Sequence, residues 1–250
     1  MRMRKRHNLD SRMERCAELL VSEPAALKGQ WSPGGRPLLL EIGCGKGSFT
    51  CALAEREPGS EIIAIEKVPD AMILAMERAA GNGLRNIRFL DFDAANLRDI
   101  FAPEEVSRIY LNFSDPWPKS RDAKFRLTAP GFLRSYGDLL PLGGEIHLKT
   151  DNRPFFEWSL EQLQNERWEI REQTLDLHVR GPVGILSDYE KRFLEQGVPI
   201  CRLVAVRRAE TLNGAAGVPE RLRDAALSDA RGNSAASGMK TETDGRETET

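Results

Sequence analysis

No stretch of this 250-residue sequence is apolar over the roughly 18 residues a membrane-spanning segment would need. The basic first residues run into the polar HNLDSRMERC, so the apolar core of a secretory signal is missing too. Cysteine is scarce and scattered, at Cys16, Cys44, Cys51 and Cys201. There is no C-x-x-C, and no Cys/His group has zinc-ligand spacing, which argues against a disulfide framework and a metal site. Reduced thiols in a cytoplasmic protein are expected. Net charge is nearly absent, at −2, so the overall basic balance of many nucleic-acid binders is not there. The distribution is less even: residues 1–15 carry six Lys or Arg against two acids, a basic arm that could reach phosphates. Residues 211–250 carry seven acids, five bases and no Phe, Trp or Tyr. Such a segment cannot bury enough apolar surface to offset its ordering entropy, so a disordered tail is predicted there, with a short helix possible at PERLRDAAL. Internal repeats, heptads and an interface stripe are also missing, which leaves monomer or homodimer open.

What is present is an alternation. Residues 1–30 read as the basic arm and a short helix, DSRMERCAELL, ended by Pro24. Residues 31–210 form the expected domain. PLLLEIG, EIIAIEK, IRFLDFD, RIYLNF, GEIHLKT and ICRLVAV read as strands. SFTCALAERE, PDAMILAMERAAGNG, TAPGFLRSYGDLL and RPFFEWSLEQLQ read as helices, with Thr128 as an N-cap of the third. Short apolar strands between helices predict an α/β, Rossmann-like fold: a mostly parallel sheet with helices on both faces. Such sheets bind ligands beyond the carboxyl ends of their strands.

The first strand ends in EIGCGKG, with Glu41, Gly43, Gly45 and Gly47. Glycines there permit a tight turn and close approach of a ligand to the backbone. The spacing is not the G-x-G-x-x-G of dinucleotide sites, and Glu41 would repel a pyrophosphate. A cationic ligand such as S-adenosylmethionine suits it better, although a plain tight turn uses the same residues. Glu66, ending the second strand, is placed to bind ribose hydroxyls. In FLDFDAA, alternation does not choose between Asp91 and Asp93, and Asp93 lies nearer the carboxyl end. The fourth strand runs into SDPWPKSR. Pro116 and Pro118 should push Asp115 and Trp117 towards extended conformations and stiffen the loop. Trp117 is either a platform for a flat ring or a brace for the loop.

EIGCGKG, IEK, YLNFSDPWPKSR, FRLTAPGFLRSYGDLL, HLKTDN and SDYEKRF, in this order, resemble the bacterial tRNA (guanine-N(7)-)-methyltransferase family over residues 38–206. The glycine motif is widespread among methyltransferases; SDPWPK followed by KTDN is far more specific. The resemblance implies a class I S-adenosylmethionine-dependent fold and methylation of a guanosine in the tRNA variable loop. It implies cofactor contacts by Glu41, Glu66, Asp93 and Asp115, and selects Asp93 over Asp91. It implies tRNA contacts by Lys119, Asp151, Ser187, Asp188, Tyr189 and Glu190. Ser187 departs from the family's usual threonine; it keeps the hydroxyl and loses a methyl. An S-adenosylmethionine-dependent enzyme acting on another RNA or a small molecule is the alternative.

Ring nitrogen 7 of guanine has a free lone pair, so no general base is required. His7, His147 and His178 are the only histidines, none beside the glycine motif; His147 reads as a packed strand residue. Catalysis would rest on alignment and electrostatics, with Asp115 the candidate to stabilise the cationic purine. Asp115 or Asp151 could instead accept from the guanine Watson–Crick edge. Lys119, Arg121, Lys124 and Arg126 could hold phosphates.

Overall fold

A computed structural model describes residues 8–212. The expected tail beyond residue 212 and the first seven residues of the basic arm lie outside them. The chain starts with α1 (Leu9–Arg15), then β1 (Leu38–Ile42), α2 (Ser48–Arg56), β2 (Glu61–Ile65), α3 (Pro69–Gly81) and β3 (Ile87–Leu90). It continues with α4 (Leu97–Ile100), β4 (Arg108–Asn112), α5 (Pro130–Leu139), β5 (Glu145–Thr150) and α6 (Arg153–Asn165). The last elements are β6 (Glu169–Thr174), α7 (Asp188–Glu195) and β7 (Cys201–Val206).

Among the described residues, seven strands make one sheet in the order β3-β2-β1-β4-β5-β7-β6. The pairings from β3 through β5 are parallel, and β7 runs antiparallel to both β5 and β6. Every residue of the central β1 is buried, as a strand covered on both faces requires. One core cluster gathers Leu38, Leu40, Ile42, Ile109 and Leu111 with Leu133 and Tyr136 of α5. The other gathers Leu39, Ile62 and Phe89 with Phe49 of α2 and Met72 and Met76 of α3. The strand order reverses between β1 and β4, which opens a crevice at their carboxyl ends.

Two local expectations are corrected, and one strand was not anticipated. The first helix stops at Arg15 and gives way to a single 3₁₀ turn over Ala17–Leu19. The chain there docks on the sheet edge, where Val21 N–H donates to the Phe89 carbonyl at 3.0 Å, covering an otherwise open strand. Thr128 is not a cap: α5 begins after Ala129 without a side-chain cap, and the Thr128 hydroxyl is buried against Ser159 Oγ at 2.7 Å. β6, EIREQT, is a strand whose middle residues are exposed, so it lacks the apolar signature of the other strands.

Candidate active site

Because β1 to β5 are parallel, their carboxyl ends share one edge. Across it, in the order β3, β2, β1, β4, β5, stand Asp93, Glu66, Glu41, Asp115 and Asp151, one acid in or just beyond each strand.

Gly43, Gly45 and Gly47 all have positive φ, at 82°, 56° and 73°. A Cβ on Gly43 or Gly45 would meet nothing within 4 Å, so these two leave bare backbone on open space. A Cβ on Gly47 would lie 2.5 Å from Ala75 Cβ; that glycine lets α2 press against α3. Glu66 holds the loop, accepting from Gly45 N–H at 2.8 Å and Val68 N–H at 2.9 Å. Asp93 lies beyond the end of β3, where strand alternation no longer applies. It accepts from Ala95 N–H at 3.0 Å, pairs with Lys67 Nζ at 2.7 Å, and has its pKa lowered first by the lysine and then by the backbone donor.

Glu41 turns inward and is 2% exposed. It accepts from the Thr50 hydroxyl and from Asn112 Nδ2, the latter at 2.9 Å. Burial pushes its carboxyl up to about 7 against the opposing pull of Thr50, Asn112 and Lys149. Asn112 Oδ1, beside it, is buried without a hydrogen-bond partner. Sequence reasoning missed Thr50 and Asn112; a polar residue closing the apolar run of β4 was the available signal.

The proline loop differs from expectation at its centre. Trp117 is not extended but left-handed, with φ 41°, a conformation costing about 1–3 kcal/mol for a bulky residue. Its ring rests on Phe125, with centroids 5.3 Å apart. Arg126 turns back onto this loop. Its Nε donates to the Pro116 carbonyl at 2.9 Å, and its Nη2 donates to the Trp117 carbonyl at 3.0 Å. Asp115, Lys119 and Asp151 are exposed.

The SDYE segment begins α7. Ser187 Oγ accepts from Glu190 N–H at 3.1 Å, and Glu190 returns the bond to Ser187 N–H at 2.9 Å, a capping box. Serine thus retains the capping role of threonine's hydroxyl. Glu190 is fully buried and pairs with Lys149 Nζ at 2.8 Å; Lys149 also donates to the Ile185 carbonyl at 2.9 Å. His178 Nδ1 accepts from Val183 N–H, which puts the ring proton on Nε2, 3.3 Å from Glu190. Asp188 N–H donates to Ser48 Oγ at 2.7 Å, and its carboxylate faces Arg78 at 3.3 Å. Tyr189 is exposed and stacks on Phe113, with centroids 6.0 Å apart. The segment is therefore tied to α2, α3 and β5. His147, in β5, is lowered to about 4 by burial while hydrogen-bonded to Glu145 at 2.7 Å, and is neutral near pH 7.

Residues 35–203 match the family described as "Putative methyltransferase". A tRNA (guanine-N(7)-)-methyltransferase of Lachnoclostridium phytofermentans is 44% identical over 200 residues, 77% of this chain and 92% of that protein. The chain belongs to the tRNA (guanine-N(7)-)-methyltransferase family. The Brevibacillus brevis member is 43% identical over 190 residues, covering 74% of this chain and 89% of its own. The Bacillus subtilis member is 39% identical over 206 residues, covering 81% and 97%. Among solved structures, the 16S rRNA methyltransferase KamB aligns with TM-score 0.55 at 16% identity, over 73% of this chain and 92% of that one. TrmN from Thermus thermophilus aligns with TM-score 0.51 at 24% identity, over 80% and 48%. Both likenesses concern the fold, the class I methyltransferase architecture that the family membership entails. Among the described residues, no helix is long and apolar enough to cross a membrane, and no group of His, Cys, Asp or Glu is arranged to hold a metal ion.

Proposed function

We propose that this chain methylates ring nitrogen 7 of a guanosine in the tRNA variable loop, using S-adenosylmethionine, and that residues 31–210 form the catalytic domain of a cytoplasmic enzyme. The observation that carries this reading is the row of five acids along one sheet edge, next to a glycine loop with open backbone. That edge fits a cationic cofactor. Gly43 and Gly45 leave room for it; in this reading Glu66 and Asp93, whose carboxylates already hold the loops there, use their remaining lone pairs for the ribose hydroxyls and the adenine amino group. Glu41 and the unpartnered Asn112 Oδ1 place acceptor oxygens beneath. When bound, S-adenosylmethionine supplies an electrophilic methyl group to a lone pair that needs no prior deprotonation.

The chain's own work is then placement and charge. Asp115, exposed on a braced loop, stabilises the positive charge that passes to the purine. Asp151 accepts from the guanine Watson–Crick edge. Lys119 takes a phosphate, and Asp188 and Tyr189 form the rim on the tRNA side. Within that rim Tyr189 offers a ring surface, whereas Ser187 and Glu190 act by holding the start of α7. Asp115→Ala tests the assignment: methyl transfer to tRNA should be lost with the circular dichroism spectrum and melting temperature kept. Wild-type turnover in that variant would remove Asp115 from the mechanism.

A further inference from the structure

The loop that carries Asp115 has an unusual backbone problem. Pro116 and Pro118 have no N–H, so this stretch lacks two of the backbone donors that turn hydrogen bonds would use. Trp117, between them, sits in the left-handed region, with φ 41°. Such a conformation persists only where the surroundings over-determine it. One side chain here does so. The Arg126 guanidinium reaches back nine and ten residues, donating from Nε to the Pro116 carbonyl at 2.9 Å and from Nη2 to the Trp117 carbonyl at 3.0 Å. Its Cζ lies over the Trp158 ring of α6, 4.4 Å from the centroid. Trp158 in turn stacks on the buried Phe155. A chain of contacts thus runs from the core through α6 to the peptide units directly after Asp115.

We propose that Arg126 is a positioning residue that fixes the Asp115–Trp117 loop through its carbonyls, and that it does not serve the tRNA backbone as its basic neighbours do. The neighbours differ in the same structure. Lys119, Arg121 and Lys124 are exposed, while Arg126 is half-buried with two of its nitrogens committed. Here separate nitrogens of one planar fork reach the two carbonyls beside the indole, an arrangement that the compact charge of a lysine ammonium at this position does not reproduce. A phosphate contact, by contrast, tolerates lysine.

The inference rests on the tRNA methyltransferase reading for its kinetic and tRNA-affinity arms only. Three quantities are measured on the full chain: single-turnover methyl transfer at saturating tRNA, tRNA affinity against salt, and tryptic cleavage after Lys119 and Arg121. Arg126→Lys should slow transfer on the order of 10- to 100-fold, the scale of a small misplacement of a reacting group. It should leave the salt slope unchanged and speed cleavage of the loop. Trp158→Leu, which removes the seat but not the fork, should move transfer and cleavage the same way by less. Lys119→Ala is the contrast: a shallower salt slope with cleavage after Arg121 unaltered. The proposal is overturned if Arg126→Lys transfers methyl at the wild-type rate, or if Arg126→Ala lowers the salt slope by one phosphate while the saturated rate holds. If the wild-type chain methylates no tRNA, the substrate reading fails, and the tryptic arm alone decides the clamp: wild-type cleavage in Arg126→Lys refutes it.

Discussion

Replacing Lys149 by Met should destabilise the protein far more than its single charge suggests. Lys149 is 8% exposed and Glu190 is 0% exposed. Burial disfavours the ammonium and lowers its pKa, and the nearby Glu190 carboxylate opposes that shift. Removing the ammonium leaves the carboxylate in the interior with only Ser187 N–H and the His178 ring as donors. Breaking one partner out of a buried pair costs about 3–5 kcal/mol, most of it from the charge left behind. In a domain of this size each kcal/mol moves the melting temperature by about 2–4 °C, so a fall of roughly 6–20 °C is expected. The double variant Lys149→Met/Glu190→Gln removes the stranded charge and should recover most of the loss, because a buried pair as a whole adds little to stability. Thermal unfolding followed by circular dichroism reads both variants. A drop below about 2 °C in the single variant, or a double variant no better than the single, would refute the reasoning.

Glu41 should give stability a distinctive pH dependence. Its folded-state pKa is about 7 against an ordinary 4.5, so the folded chain holds a proton that the unfolded chain has released between those values. Its contribution is fully present below about 4.5 and is lost as pH rises through about 7, on the order of 3 kcal/mol in all. The difference between wild type and Glu41→Gln in urea denaturation should change over that window; a flat difference would contradict the assignment. Gly47→Ala should cost about 2–5 kcal/mol, since it combines a left-handed φ with a Cβ 2.5 Å from Ala75 Cβ. Chemical denaturation measures it, and near-wild-type stability would mean that α2 and α3 separate freely.

The fold was legible because its signals are local. The strands β1 to β5 and β7 are apolar runs, and Pro69 and Pro154 mark the starts of α3 and α6. β6 escaped because three of its six residues are exposed and none is buried, and no periodicity in EIREQT separates it from a loop. The acids at strand ends were legible for the same local reason, since parallel strands put their ends together. The inner layer was not. Thr50, Asn112 and Lys149 read as ordinary polar residues until the fold brings them to Glu41 and Glu190. Arg126 looked like one more cation in a basic run, because a sequence does not show which guanidinium turns back to bind carbonyls. Arg12, counted in the basic arm, is likewise committed, forking Glu77 of α3 at 2.5 and 2.7 Å.

The central claim is transfer of a methyl group to ring nitrogen 7 of a tRNA guanosine. Incubating the chain with methyl-labelled S-adenosylmethionine and unmodified tRNA, then digesting the RNA and mapping the label by mass spectrometry, tests it directly. The account predicts label on N7 of a guanosine in the variable loop. Label on another atom or outside tRNA, or no transfer by the folded chain, would contradict it.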